Sequence, residues 1–227
     1  MMDGARIRAA ALAVLVAAIA AGVVIATTGG SGAAAVEPPV GERGGPPALT
    51  IPEGALRLDA LSREPIEDPD ARWVRSAGRR LAPMLGRCEA RAPATIAARQ
   101  VALVDKTLWK AERVTVYRDA RAARAVLAEL RRCRDHATSD GTTTDWKIEP
   151  LHGIGDEALF VASLRTRDGE PLGGAHRGVV TRAGRAIAWF VDFGPGPRRM
   201  QEPADVPRYP SYARASAQRL AAAAWLG

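Results

Sequence analysis

The chain has 227 residues, a formal net charge of +7 and 47% hydrophobic residues, which suits one domain with its own core. Its cations are 29 Arg and 3 Lys (Lys106, Lys110 and Lys147) in an Ala-, Gly- and Pro-rich chain, the mark of a GC-rich coding bias. The basic balance is therefore discounted as a sign of nucleic-acid binding, and no nucleic-acid partner is expected. Two lone cysteines without CxxC spacing also argue against a thiolate metal site.

The first element is the uncharged run Ala9–Ala26, AAALAVLVAAIAAGVVIA. Its length as a helix is about 27 Å, near the thickness of a bilayer's hydrocarbon core. It reads as an N-terminal transmembrane anchor or as a signal peptide, with Arg6 and Arg8 as the basic start and Ala33–Ala35 as a cleavage site. Both readings leave the arginines in the cytoplasm and export the rest. The domain plan is residues 1–27 as anchor or signal, 28–48 as a Gly/Pro-rich linker, and 49–227 as an extracytoplasmic domain.

Residues 49–69 read as extended and irregular. Asp70 can cap a helix carrying Trp73, Ala77, Leu81, Met84 and Leu85, which Pro83 kinks or ends. Strands are expected at 101–105 and 113–117. Asp119 caps the clearest helix, DARAARAVLAELRRCRDH, with Ala123, Val126, Leu127, Leu130 and Cys133 on its apolar face. A polar loop over 138–145 and a strand over 146–151 follow. The glycines of Gly153-Ile154-Gly155-Asp156 suit a tight turn, with Asp156 accepting backbone N–H bonds. Three strands, 158–165, 176–182 and 185–192, precede a final helix capped by Ser211. The AIAWFV segment is apolar on both faces and is expected at the sheet centre. The fold class is α+β: a mainly antiparallel twisted β-sheet with flanking helices, preceded by an N-terminal transmembrane helix.

In an oxidising exterior Cys88 and Cys133 form one disulfide, with two buried free thiols as the rival reading. His136, His152 and His176 show no metal-ligand spacing. His136 lies three residues after Cys133, but a disulfide would consume that thiol. Asp156 and Glu157 are adjacent and point to opposite faces of a strand, so they are no acid/base pair. Ser163 and Ser211 have no nucleophile context. Trp189 and Trp225 read as core, whereas Trp109 and Trp146 sit in polar surroundings and are groove candidates. No catalytic residue, cofactor or metal site is expected, and the chain reads as a non-enzyme.

The Tyr117-x-Asp119 strand end, the Ala-rich helix reaching Cys133, the turn-strand GIGDEALF and the segment GRAIAWFVDFG resemble exported actinobacterial lipoproteins and sensor domains. The named relative is the extracellular sensor domain of PknH-type mycobacterial receptor kinases. The resemblance covers residues 49–227 and implies a twisted antiparallel sheet with flanking helices, disulfide bonding and a groove for a ligand. The chain departs in having one cysteine pair where the kinase sensor has two. It also has no kinase domain, since about eight residues precede the apolar run.

The resulting expectation is a membrane-tethered, extracytoplasmic, non-enzymatic ligand-binding or sensor-like domain of the cell envelope. Its partners are the membrane, through the N-terminal helix, and an unknown small or lipidic ligand or an envelope protein. Cleavage of the signal would instead release it. An accessory protein working through protein contacts and an exported hydrolase are the alternatives. A large groove favours ligand binding and a flat apolar patch favours protein contacts.

Overall fold

The computed structural model describes residues 49–89, 93–138, 140–195 and 199–226. The expected anchor or signal at 1–27 and the linker lie outside them. No described helix is long and apolar enough to cross a membrane.

The alternation of apolar side chains in the C-terminal half builds the centre of a nine-stranded antiparallel sheet. Its strands are β1 (Arg72–Gly78), β2 (Ala97–Val104), β3 (Trp109–Val116), β4 (His136–Ala137), β5 (Thr142–Pro150), β6 (Glu157–Arg167), β7 (Glu170–Pro171), β8 (Ala175–Ala183) and β9 (Ala186–Gly194). The spatial order is β1-β2-β3-β9-β8-β6-β5-β4, with β7 pairing β6. Strand β9 lies between β3 and β8, so the AIAWFV segment is central as expected. The β8–β9 hairpin turns at Gly184, whose φ is 57°.

Period-two alternation divides each central strand between two cores. On β9, Ala186, Ala188 and Phe190 face one side, and Ile187, Trp189 and Val191 the other. Helices α1 (Arg57–Leu61) and α3 (Arg208–Ala221) belong to the first side. Helix α2 (Ala120–Arg131) belongs to the second, capped by the Asp119 carboxylate accepting from the Ala122 N–H at 2.7 Å. Its residues Ala123, Val126, Leu127 and Leu130 are buried, as their spacing requires. Each buried Leu or Val there contributes about 1.5–3 kcal/mol relative to exposure.

Four expectations about helices need correction, and β5 starts at Thr142, inside the expected 138–145 loop. The Asp70–Leu85 helix is instead edge strand β1, followed by an irregular segment and a 3-10 turn at Gly86–Glu89. Trp73 and Ala77 fit helical spacing, but 73, 75 and 77 also share a strand face. Pairing all seven residues with β2 satisfies the backbone better than a short isolated helix would. Second, residues 49–69 contain α1, whose Leu56 and Leu58 are buried. Third, α2 stops before Cys133, so His136 is not on that helix but on the short edge strand β4. Fourth, α3 begins at Arg208, three residues before Ser211, because Tyr209 is drawn into the core.

Buried charges clamp the helices to the sheet. Glu112 of β3 accepts from the Leu58 N–H at 2.8 Å and pairs Arg219 of α3 at 3.4 Å. On the same side, the Tyr209 hydroxyl donates to Asp192, which also takes a 2.9 Å bond from Arg177.

Candidate functional site

The second face of the sheet is covered by α2 and by residues 83–89, but only in part. Phe193, His176, Ser163, Trp146, Arg165, Thr144 and His136 project from this face along five neighbouring strands. The register places Phe193 opposite His176, Trp146 opposite Ser163, Thr144 opposite Arg165 and His136 opposite Thr144. The Ser163 hydroxyl, fully buried, accepts the His176 backbone N–H at 2.8 Å and ties the two strands. Together with Pro83–Arg87, these side chains apart from Ser163, which lies beneath them, line a cavity of about 450 Å³. That volume falls within the small-molecule range of roughly 300–1,000 Å³.

Its floor is aromatic. The Trp146 and His176 rings stack with centroids 5.1 Å apart, and His176 meets Phe193 at 4.8 Å in a tilted arrangement. Gly174 permits this packing: its φ is +81°, and an added Cβ would lie 2.8 Å from Phe193 and 2.9 Å from the Arg165 guanidinium. Burial, reinforced by nearby Arg165 and opposed by Asp192, pushes the His176 imidazole down to about 4, so the ring is neutral at pH 7. Two buried nitrogens, Trp146 Nε1 and His176 Nδ1, have no hydrogen-bond partner among the described residues.

The rim is cationic. Arg165 donates to the Gly173 carbonyl at 3.3 Å and forms no salt bridge among the described residues. Arg87 is exposed and makes no hydrogen bond or ion pair among them. No Asp or Glu is among the lining side chains.

One wall is pinned covalently. The Cys88–Cys133 disulfide joins the 3-10 turn to the chain just beyond α2, with Cα atoms 5.2 Å apart. Met84 and Leu85 are buried beside it. Glu89 accepts the Met84 and Leu85 N–H groups and pairs Arg113 of β3 at 3.4 Å. Burial raises the Glu89 carboxyl despite Arg113 and the two amides. Across Pro83 lies a second, more polar cavity of about 300 Å³, walled by Arg79, Arg80, Glu89, Arg113 and Tyr117. Arg113 is already committed there, to Gln100, the Ala82 carbonyl and Glu89.

Of the two groove candidates, Trp146 lines the cavity. Trp109 is half-buried against the α2-side core, opposite Phe193 in the register, and is not part of the lining. The disulfide expectation is met: among the described residues no cysteine is free. Trp189 is core, and Trp225 packs at the α3-side core margin. His152 is exposed on a turn. Asp156 and Glu157 do not diverge: both reach Arg182, at 2.9 and 3.4 Å. Asp156 also accepts the Gly184 N–H at 2.7 Å. The GIGD turn is thus a clasp on the β8–β9 hairpin. Sequence reasoning missed Arg165, His176 and Phe193 as site residues. Their signal is parity, since each falls in step with apolar residues facing α2.

No family model matches the chain, and no curated protein does. Among solved structures the fold is similar to the extracellular domain of PknH from Mycobacterium tuberculosis. That likeness covers 76% of this chain and 94% of the other, at 10% identity and a TM-score of 0.44. No residue role transfers at that distance.

Proposed function

We propose that the chain is a membrane-tethered, extracytoplasmic, non-enzymatic binding domain of sensor type, with its ligand site at the Trp146–His176 cavity. The observation that carries this reading is the cavity itself: an aromatic floor, two buried nitrogens without a hydrogen-bond partner among the described residues, and a cationic rim within about 450 Å³. The disulfide and the uncharged Ala9–Ala26 run support the compartment and the tether. His176, the titratable group within the floor, is stacked on Trp146, tilted against Phe193 and neutral, an arrangement suited to recognition. The cavity favours a small-molecule ligand over a flat protein-docking patch. Leu61, at 40%, is the exposed large hydrophobic side chain among the described residues.

Native mass spectrometry of the full chain in lipid nanodiscs after exposure to envelope extract tests the reading. The expected result is a discrete mass adduct that Trp146→Ala removes. Spectra that repeatedly show the bare chain alone would overturn it. A fusion reporter placed after Gly227 checks the orientation and should be active only outside the cytoplasm.

A further inference from the structure

We propose that the cavity selects a small planar organic anion, an aromatic carboxylate, with its ring on the Trp146–His176–Phe193 floor and its carboxylate at Arg165 and Arg87. This inference rests on the pocket reading above and adds the chemical class of the ligand.

The floor specifies flatness. Trp146 and His176 stack at 5.1 Å with their planes only 29° apart, so the two rings lie one over the other and nearly parallel. Phe193 closes one end at 51° to the imidazole. A planar ring gains offset-stacked or edge contacts on such a surface. Met84 in the opposite wall is unbranched and polarizable, and adapts to a ring edge.

The rim specifies charge. Arg165 stands on β6 beside the imidazole, close enough to help hold it neutral, and has N–H groups to spare beyond its Gly173 contact. Arg87 lies on the opposing 3-10 turn without a partner among the described residues. Two guanidinium groups and no carboxylate in the lining bias the cavity toward anions, and the nearby Asp192 and Asp135 carboxylates are already engaged, by Arg177 and Tyr209 and by the Trp146 backbone N–H. Guanidinium forks match carboxylates in a planar, bidentate geometry. A cationic or zwitterionic ligand would find no counter-charge there.

The probes are 2-naphthoate, its neutral isostere 2-naphthamide, and the non-planar acid decanoate. Each is titrated calorimetrically into the full chain in nanodiscs, with empty nanodiscs subtracted. Naphthoate is expected to bind more tightly than the amide by about tenfold or more, the factor of one charge-assisted hydrogen bond. Arg165→Gln should narrow the gap between naphthoate and the amide. Arg87→Gln, on an exposed side chain, should weaken naphthoate in the same direction with no change in melting temperature. Trp146→Ala should weaken both ring probes.

Equal affinity for naphthoate and naphthamide would overturn the anionic part of the inference, and decanoate binding as tightly as naphthoate the planar part. Failure of all three probes would overturn the ligand class. The envelope adduct then separates the two levels: a Trp146-dependent adduct leaves the cavity as a site for another ligand, and its absence removes the cavity reading as well.

Discussion

Reduction of the Cys88–Cys133 disulfide should lower stability by about 4 kcal/mol. The two cysteines are 45 residues apart in sequence. In the chain-entropy model, a loop of that length removes roughly 13 cal/mol/K from the unfolded chain, or about 4 kcal/mol at 25 °C. The folded side changes little, because Cys88 stays buried at 4% and Met84, Leu85 and Glu89 still hold the turn. In a domain of this size each kcal/mol moves the melting temperature by about 2–4 °C, so reduction should lower it by about 8–16 °C. The assay is scanning calorimetry with and without a phosphine reductant, with thiol titration confirming two free thiols per chain. Urea unfolding should show a steeper slope after reduction, since the open unfolded chain exposes more surface. A shift under about 3 °C with both thiols titrated would refute the denatured-state argument. Reduction is a cleaner perturbation than Cys88→Ser, which would also bury a hydroxyl.

Three further outcomes follow from single contacts. Tyr209→Phe removes a buried hydroxyl donor to the Asp192 carboxylate and should cost about 1.5–3 kcal/mol in urea unfolding; an unchanged midpoint would show that Arg177 and Arg208 satisfy Asp192 without it. Gly155→Ala puts a Cβ 2.7 Å from the Arg182 carbonyl at a φ of +59°, and should cost about 2 kcal/mol or more; a neutral result would mean that the β8–β9 hairpin yields freely. The His176 imidazole is depressed from 6.5 to about 4 by burial, so between those values the unfolded chain binds the extra proton. Its contribution is therefore present above pH 6.5 and lost as pH falls towards 4, by about 1–3 kcal/mol after screening of this partly exposed ring. Acid unfolding of His176→Gln should lack that part of the slope, and an identical slope would remove the ring from the account.

Legibility in the sequence followed the length over which a pattern repeats. Helix α2 carries an aspartate cap and four buried residues at helical spacing, so its start and buried face were readable, and only its last turn was misplaced. The β6, β8 and β9 strands alternate over nine or more residues each, and two-sided apolarity placed β9 at the centre. The segment Arg72–Gly78 is too short for either period to dominate. What decides it is the edge of β2, a partner twenty or more residues away that no local pattern contains. Helix α1 is five residues long: its own Asp59 takes the Leu56 N–H, and Glu112, 54 residues away, takes the Leu58 N–H, which is again a tertiary cause.

The site was harder to read than the fold for a related reason. Trp146 stood out because a tryptophan in polar surroundings is unusual, yet Trp109 met the same criterion and went into the margin of the core. Composition around a residue cannot separate them, but sheet parity can. Trp146 shares its face with Ser163, His176 and Phe193 at the end of the sheet where cover by α2 gives way to Pro83–Arg87. Trp109 shares the same face one strand beyond Phe193, outside the cavity lining. A groove on a two-sided sheet is therefore set by where a covering helix stops. Here that boundary is fixed by the disulfide at Cys133, two residues past the last turn of α2. Cys133 thus both anchors the wall of the cavity and marks, in the sequence, where the sheet face opens into it.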